Sequence, residues 1–222
     1  RREISVAVKI LRERLGTPTR ETAVSTDQPE MPAETTDVAT LSVDLLADRV
    51  LKTGSREGET VQRTVTALLG LDPEVTDRWP SQADVALVAD VTRGRIGQVV
   101  GKLQTRWAKD PAITQLRSDL VEIVACQGGV VTVPELVESV LLARGSSQDE
   151  PRRTQLSGAV VRAAVEAERS MSEPRLLVRR DGDCVLVAQD ASLAGYARRL
   201  GEIADQLADE DPLVAPFVME LL

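Results

Sequence analysis

Five basic side chains fall between Val91 and Lys109 (Arg93, Arg95, Lys102, Arg106 and Lys109), and that stretch holds no Asp or Glu. Clustered cations free of carboxylates suit the phosphates of a nucleic acid. Gln98 stands among them with the amide geometry that pairs bidentately with adenine. Thr92, ahead of the cluster, is the residue type that caps a helix start by accepting from a backbone N–H. Asp90 tolerates the left-handed backbone conformation of a sharp turn. Apolar residues on either side repeat at helical spacing: Ala83, Val85, Ala86 and Ala89 before the turn; Ile96, Val99, Val100 and Leu103 after it. Two helices around a tight turn, the second outwardly basic, have the grammar of a helix-turn-helix. On that reading Ser81–Ala89 braces and Thr92–Arg106 enters the major groove. Arg93 and Arg95 face base edges or phosphates, and Lys102, Arg106 and Lys109 hold backbone phosphates.

The whole chain limits this reading. It has 222 residues and a formal net charge of -8, so any DNA contact is local rather than a general coating. Without a single histidine there is no Ser-His-Asp or Cys-His arrangement, no H-R-D catalytic loop and no His-based zinc site. Its carboxylates show no metal-ligand or acid/base spacing above that of solvated helix faces, so the segment is expected to hold no catalytic residues, metal or cofactor. Aromatic residues make up 2% of the chain, too few for a single-strand stacking platform. Trp79 and Trp107 are expected to pack in a core. Cys126 and Cys184 are too few for a disulfide framework and sit among apolar neighbours, which predicts buried, inert thiols in a reducing, cytoplasmic compartment. No signal peptide and no membrane-length apolar run is present. The chain opens on Arg1, and we read it as a segment of a longer protein.

The positioning elements follow in order. Residues 1–16 read as a helix leaving a preceding domain; their Val6-Ala7-Val8-Lys9 matches a kinase strand motif only superficially, with no glycine-rich loop before it. Residues 17–37, rich in Pro, Thr, Glu and Ser, read as a flexible linker. Helices over 38–51 and 57–71 form the floor of a helix-turn-helix domain spanning 38–110. A second domain, 111–190, runs as a helix from Ile113 to Ala125, a short strand at Val130-Val131-Thr132, a helix opened by Val133-Pro134, a helix over 152–168, and a hairpin. The hairpin joins Leu176-Leu177-Val178 to Cys184-Val185-Leu186-Val187 through a turn at Arg180-Asp181-Gly182. That is the order of a winged helix. Residues 191–222 add a helix to Leu207 and an apolar end, Leu213–Leu222. The expected fold is therefore mainly α: tandem helix-turn-helix and winged-helix domains with a small β-hairpin wing.

In the second domain the 152–168 helix takes the recognition position. Arg152, Arg153, Arg162, Arg179 and Arg180 mark a secondary surface for DNA or for a partner protein, the charge balance leaving both open.

Val91-Thr92-Arg93-Gly94-Arg95-Ile96-Gly97-Gln98, with Lys102 following, resembles the recognition-helix start of bacterial sigma factor region 4, which carries V-T-R-x-R-I-x-Q. The chain departs from it at Asp90, where glycine is usual, and at Gly94 and Gly97, each costing about 1 kcal/mol of helix propensity relative to alanine. The wider stretch from VDLLADRVL through WPSQADVA to GGVVTVPEL and the hairpin resembles a region of the PglW-type serine/threonine kinases of phage growth limitation (BREX-type) defence systems. That resemblance implies a non-catalytic region of a kinase whose ATP and Mg would be held elsewhere. GGVVTVPELVESVL is also similar to HARE-type winged helices, which bind DNA or dock proteins. Two functions follow: binding of double-stranded DNA, or a docking scaffold for other defence-system proteins without DNA. Neither involves a membrane or a small-molecule substrate.

Overall fold

The computed structural model describes residues 38–54, 58–182 and 184–210. All belong to one compact unit, Thr36–Leu222. The expected helix over 1–16, the linker over 17–37 and the apolar end at 213–222 lie outside the described residues.

A single 3-10 turn, Val38–Thr40, leads into α1 (Val43–Leu51), which Ser42 caps by accepting from the Leu45 N–H. Val43, Leu46, Ala47 and Val50 form its buried stripe at helical spacing. Helix α2 (Glu59–Leu68) buries Val65, Ala67 and Leu68 and stops at Gly70, whose φ of +68° needs a residue without Cβ. A Cβ there would lie 2.7 Å from the Arg78 carbonyl oxygen. Helix α3 (Gln82–Val88) opens on a reciprocal capping box between Ser81 and Asp84. Helix α4 (Arg93–Lys109) opens on Thr92, and α5 (Pro111–Cys126) on Asp110, with proline in the first turn where no N–H is needed.

Strand β1 (Val130–Thr132) runs into α6 (Val133–Arg144), held by a second capping box between Thr132 and Glu135. Then come α7 (Arg152–Arg169), β2 (Leu177–Asp181), β3 (Cys184–Ala188) and α8 (Ala191–Glu210). The sheet is antiparallel in the order β1-β3-β2, so β3 is central, with Val131 opposite Val187 and Val178 opposite the same residue. Asp181 pairs with Cys184 and Gly182 has φ +54°, placing the hairpin's reversal one residue later than the sequence suggests. Mainly α with a small antiparallel sheet is the observed class, and the order from α5 to β3 is the expected one.

Two expectations change here. The boundary at 110/111 does not separate two cores: one hydrophobic cluster runs from Leu41 through Trp107 to Leu120, Val160 and Val187. The cause is α7, which packs against α1, α4, α5 and α6 at once. Expected to offer one apolar side and a charge-balanced recognition face, α7 is instead buried at every position from Val160 to Glu168. Ala159, Ala163, Ala164 and Ala167 lie between the large apolar residues, and side chains that short let neighbours close in on all sides. The second correction concerns the thiols: Cys126 and Cys184 are both exposed. Cys126 follows Val124, the last buried residue of α5, by two positions and so points away from the core.

Candidate nucleic-acid interface

The turn between α3 and α4 forms as Asp90 takes φ +52°, the one positive-φ position not held by glycine among the described residues. The Asp90 N–H donates to the Leu87 carbonyl at 3.3 Å and the Val91 N–H to the Ala86 carbonyl at 3.1 Å, closing the end of α3. Thr92 Oγ1 then accepts from the Arg95 N–H at 3.3 Å and starts α4. A β-branched residue at position 90 pays the full left-handed penalty. Asp90→Val is therefore expected to destabilise the chain by about 1–2 kcal/mol in a denaturant titration, and Asp90→Gly to cost nothing.

Ile96, Val99, Val100, Leu103 and Trp107 anchor α4 to the core. Thr92, Arg93, Arg95, Gln98, Lys102 and Lys109 are all exposed, as the sequence predicts for them. Arg93, Lys102 and Lys109 have no ion-pair partner among the described residues, and Arg95 donates to Gln98 Oε1 at 3.3 Å. At about 100° per residue, the crest opposite the buried stripe carries Gly94, Gln98, Gly101 and Thr105. Arg95 and Lys102 lie on the flank towards the start of α2, and Arg93 on the other side of the crest. A Cβ on Gly94, Gly97 or Gly101 would meet nothing within 4 Å, so packing does not impose these glycines.

Arg106 departs from expectation. It is half-buried: its Nη2 donates to the Val50 carbonyl at 3.1 Å, and its guanidinium lies 6.0 Å from the Trp107 ring centre. Trp107 Nε1 donates to the same carbonyl at 3.2 Å. Arg106 thus ties α4 to the end of α1 instead of standing free for a phosphate. Both tryptophans are core residues, as expected, with Trp79 6% and Trp107 1% exposed.

The secondary set does not form one surface. Arg152 and Arg179 are exposed without an ion-pair partner among the described residues. Arg153 is exposed but bound to Glu150 at 2.6 Å. Arg180 pairs with Asp77 at 2.8 Å and donates to the Trp79 carbonyl, pinning the hairpin to the segment before α3. Arg162 is wholly misplaced by the sequence reading. It is 5% exposed, stacks 4.4 Å from the Trp79 ring centre and pairs with Glu166 at 2.9 Å. Burial pulls its guanidinium down to about 10, with Glu166 opposing that shift. Its Nε and Nη1 have no hydrogen-bond partner. A helix carrying that residue inward cannot offer it to DNA.

The sequence reading also missed the polar network that α7 organises. Glu166 Oε2 accepts from Gln104 of α4 at 2.8 Å. Glu168 accepts from Arg117 Nε of α5 at 2.7 Å and from Arg175 Nε and the Arg175 backbone N–H, both at 2.9 Å. These bonds fix the back of α4, and the segment leading to the hairpin, to one central helix. Alternating Arg and Glu along 162–169 is the only trace of it in the sequence, and it is equally the mark of a solvated face.

No helix among the described residues is long and apolar enough to cross a membrane. No family model matches the chain, so the likeness of residues 91–98 to sigma region 4 rests on those residues alone. No solved structure matches it either. Over 166 residues the chain is 31% identical to a protein of Streptomyces coelicolor described as "Probable kinase PglW". The match takes in 64% of this chain and 11% of that protein, so the chain spans only about a tenth of its relative's length. Over those residues the chain is similar to a segment of that protein.

Proposed function

We propose that residues 38–210 form a DNA-binding, non-catalytic segment of a larger serine/threonine protein kinase of a phage-defence system. In this reading α3, the Asp90 turn and α4 act as a helix-turn-helix. The observation that carries it is the outward face of α4, acid-free from Arg93 to Lys109 in a chain of net charge -8. ATP and Mg would serve the kinase core of the parent, and this segment holds neither.

The geometry favours positioning on the backbone over reading of bases. Gln98 is the one long side chain on a crest otherwise made of Gly94, Gly101 and Thr105, so adenine recognition rests on it. Arg93, Arg95, Lys102 and Lys109 reach out from the flanks and the far end, where the phosphates bordering a groove would lie. With three to four such contacts, log Kobs falls against log salt with a slope of about -3 to -4. Polarisation titrations of the 222-residue chain against a duplex of about 20 base pairs test this. Absence of binding at about 50 mM salt, or a slope near zero, removes the assignment.

A docking function for another protein of the defence system has its own support. Leu87 on α3 and Leu142 on α6 are each 82% exposed, apolar side chains that a protein partner could cover. Recovery of a partner from nuclease-treated extract, lost on Leu142→Glu, supports that reading; identical recovery by both chains counts against it.

A further inference from the structure

The two helices on either side of the Asp90 turn are held from behind at points far apart in the chain but close together on α7. Ahead of α3, the Trp79 ring centre lies 4.4 Å from the Arg162 guanidinium, and Arg162 Nη2 donates to the Pro80 carbonyl at 3.4 Å. In the second half of α4, the Gln104 amide donates to Glu166 Oε2 at 2.8 Å. Arg162 and Glu166 stand about one helical turn apart and pair with each other at 2.9 Å, their side chains 6% and 2% exposed. We propose that this pair is a positioning device for α4. It fixes the angle between α3 and α4, and with it the attitude in which the outward face of α4 meets a duplex. The inference rests on the DNA reading above and gives α7 a part in it without any contact to DNA.

Stability alone does not call for an ion pair at this place. Arg162 leaves Nε and Nη1 without a hydrogen-bond partner, and such atoms carry a desolvation cost that no bond returns. Apolar side chains of similar volume fill sites of this kind without loss, and often with a gain, in stability. What an apolar pair lacks is direction. A guanidinium is planar, stacking on one face and donating only within its plane, while each carboxylate oxygen takes its own donors. Glu166 turns Oε1 to Arg162 and Arg169, and Oε2 to Gln104. A shift of α4 against α3 therefore breaks a bond at this carboxylate or pulls on the arginine that holds Trp79 and Pro80. The hairpin grips the same segment, through Arg180 to Asp77 at 2.8 Å and to the Trp79 carbonyl.

Arg162→Met/Glu166→Leu removes both charges together, so neither is stranded in the core. In the 222-residue chain its thermal midpoint is expected at or above that of the unmodified chain. Duplex affinity at about 50 mM salt is expected to fall about tenfold, a size found for residues coupled through one network. The salt slope should stay the same, because no phosphate contact is lost. The Asp90 and Val91 amides, bonded to the Leu87 and Ala86 carbonyls, should exchange their hydrogens several-fold faster. The Gln189 amide, bonded to the Gly129 carbonyl beside the sheet, should keep its rate. Gln104→Leu cuts the α4 anchor and leaves the pair intact. It is expected to move affinity and exchange in the same direction, and it carries the test if the double variant does not fold. Where the unmodified chain binds duplex, unchanged affinity in a folded variant makes the pair structural only and overturns the proposal. Unchanged exchange at the turn overturns it as well. A slope lowered by about 0.9 in the double variant makes Arg162 a phosphate ligand and overturns it too. If the unmodified chain binds no duplex, yet exchange at the turn quickens in the variants, the bracing of α3 to α4 stands and the DNA reading falls.

Discussion

Glu168→Ala is expected to lower the free energy of unfolding by about 3–5 kcal/mol, the range for breaking a buried ion pair by removing one partner. Its carboxylate is 1% exposed and binds two arginines from different parts of the chain. Arg117 is itself 6% exposed, so deleting Glu168 strands a cation in the core without its partner. The same group makes stability depend on pH. Burial alone would raise its pKa, but the Arg175 side chain and backbone N–H, and then Arg117, outweigh burial and hold it at about 2, against 4.5 for a free glutamate. A depressed carboxylate contributes stability that is fully present above the unfolded value and is lost as pH falls through the folded one. The window therefore runs from about pH 5 down to about pH 2, over which this group removes about 3 kcal/mol. Denaturant titrations at pH 7, 5, 4 and 3 check it. Glu168→Gln should be less stable at pH 7 and show a smaller loss on acidification. A variant whose acid slope matches the unmodified chain would falsify the assignment of that slope to Glu168.

The second large effect concerns DNA. Arg93→Ala/Arg95→Ala is expected to weaken duplex binding by about 10- to 100-fold at low salt and to flatten the salt slope by about 2. Both side chains are exposed at the start of α4, so the double variant should unfold at close to the same denaturant concentration as the unmodified chain. Arg95 also holds Gln98 by its carbonyl oxygen, so losing it frees the one long crest side chain as well. Gln98→Ala alone should cost less and act on sequence preference more than on slope, because an amide neutralises no phosphate. Unchanged affinity in the double variant, with the fold intact, would move the function to the docking reading and to the faces around Leu87 and Leu142.

Most elements were legible because they are local. Ser42, Ser81, Thr92, Asp110 and Thr132 each cap the helix they precede, and short polar side chains do this wherever they stand before an apolar-periodic run. The turn at Asp90 and the hairpin reversal at Gly182 depend on backbone conformations those residue types tolerate. Exposure of Arg93, Arg95, Gln98 and Lys102 followed from the period of α4, since Ile96, Val99, Val100 and Leu103 leave only one face for them.

The errors over Arg162, Arg106 and the domain boundary involve partners distant in the chain. Arg162 and Arg106 look alike in sequence to any exposed arginine. Trp79 and Glu166 draw one inward, and the Val50 carbonyl, 56 residues away, half-buries the other. The alanines of α7 carry no outward sign that four helices converge on them, because a small side chain suits a solvent face and a close contact equally. Helix starts, turns and the acid-free run of α4 were thus set by residues within a few positions of one another. Which charges survive at the surface, and that two expected domains share one core, depended on packing across more than fifty residues. Burial is a property of the assembled neighbours, and periodicity records only which side a residue faces, never what waits there.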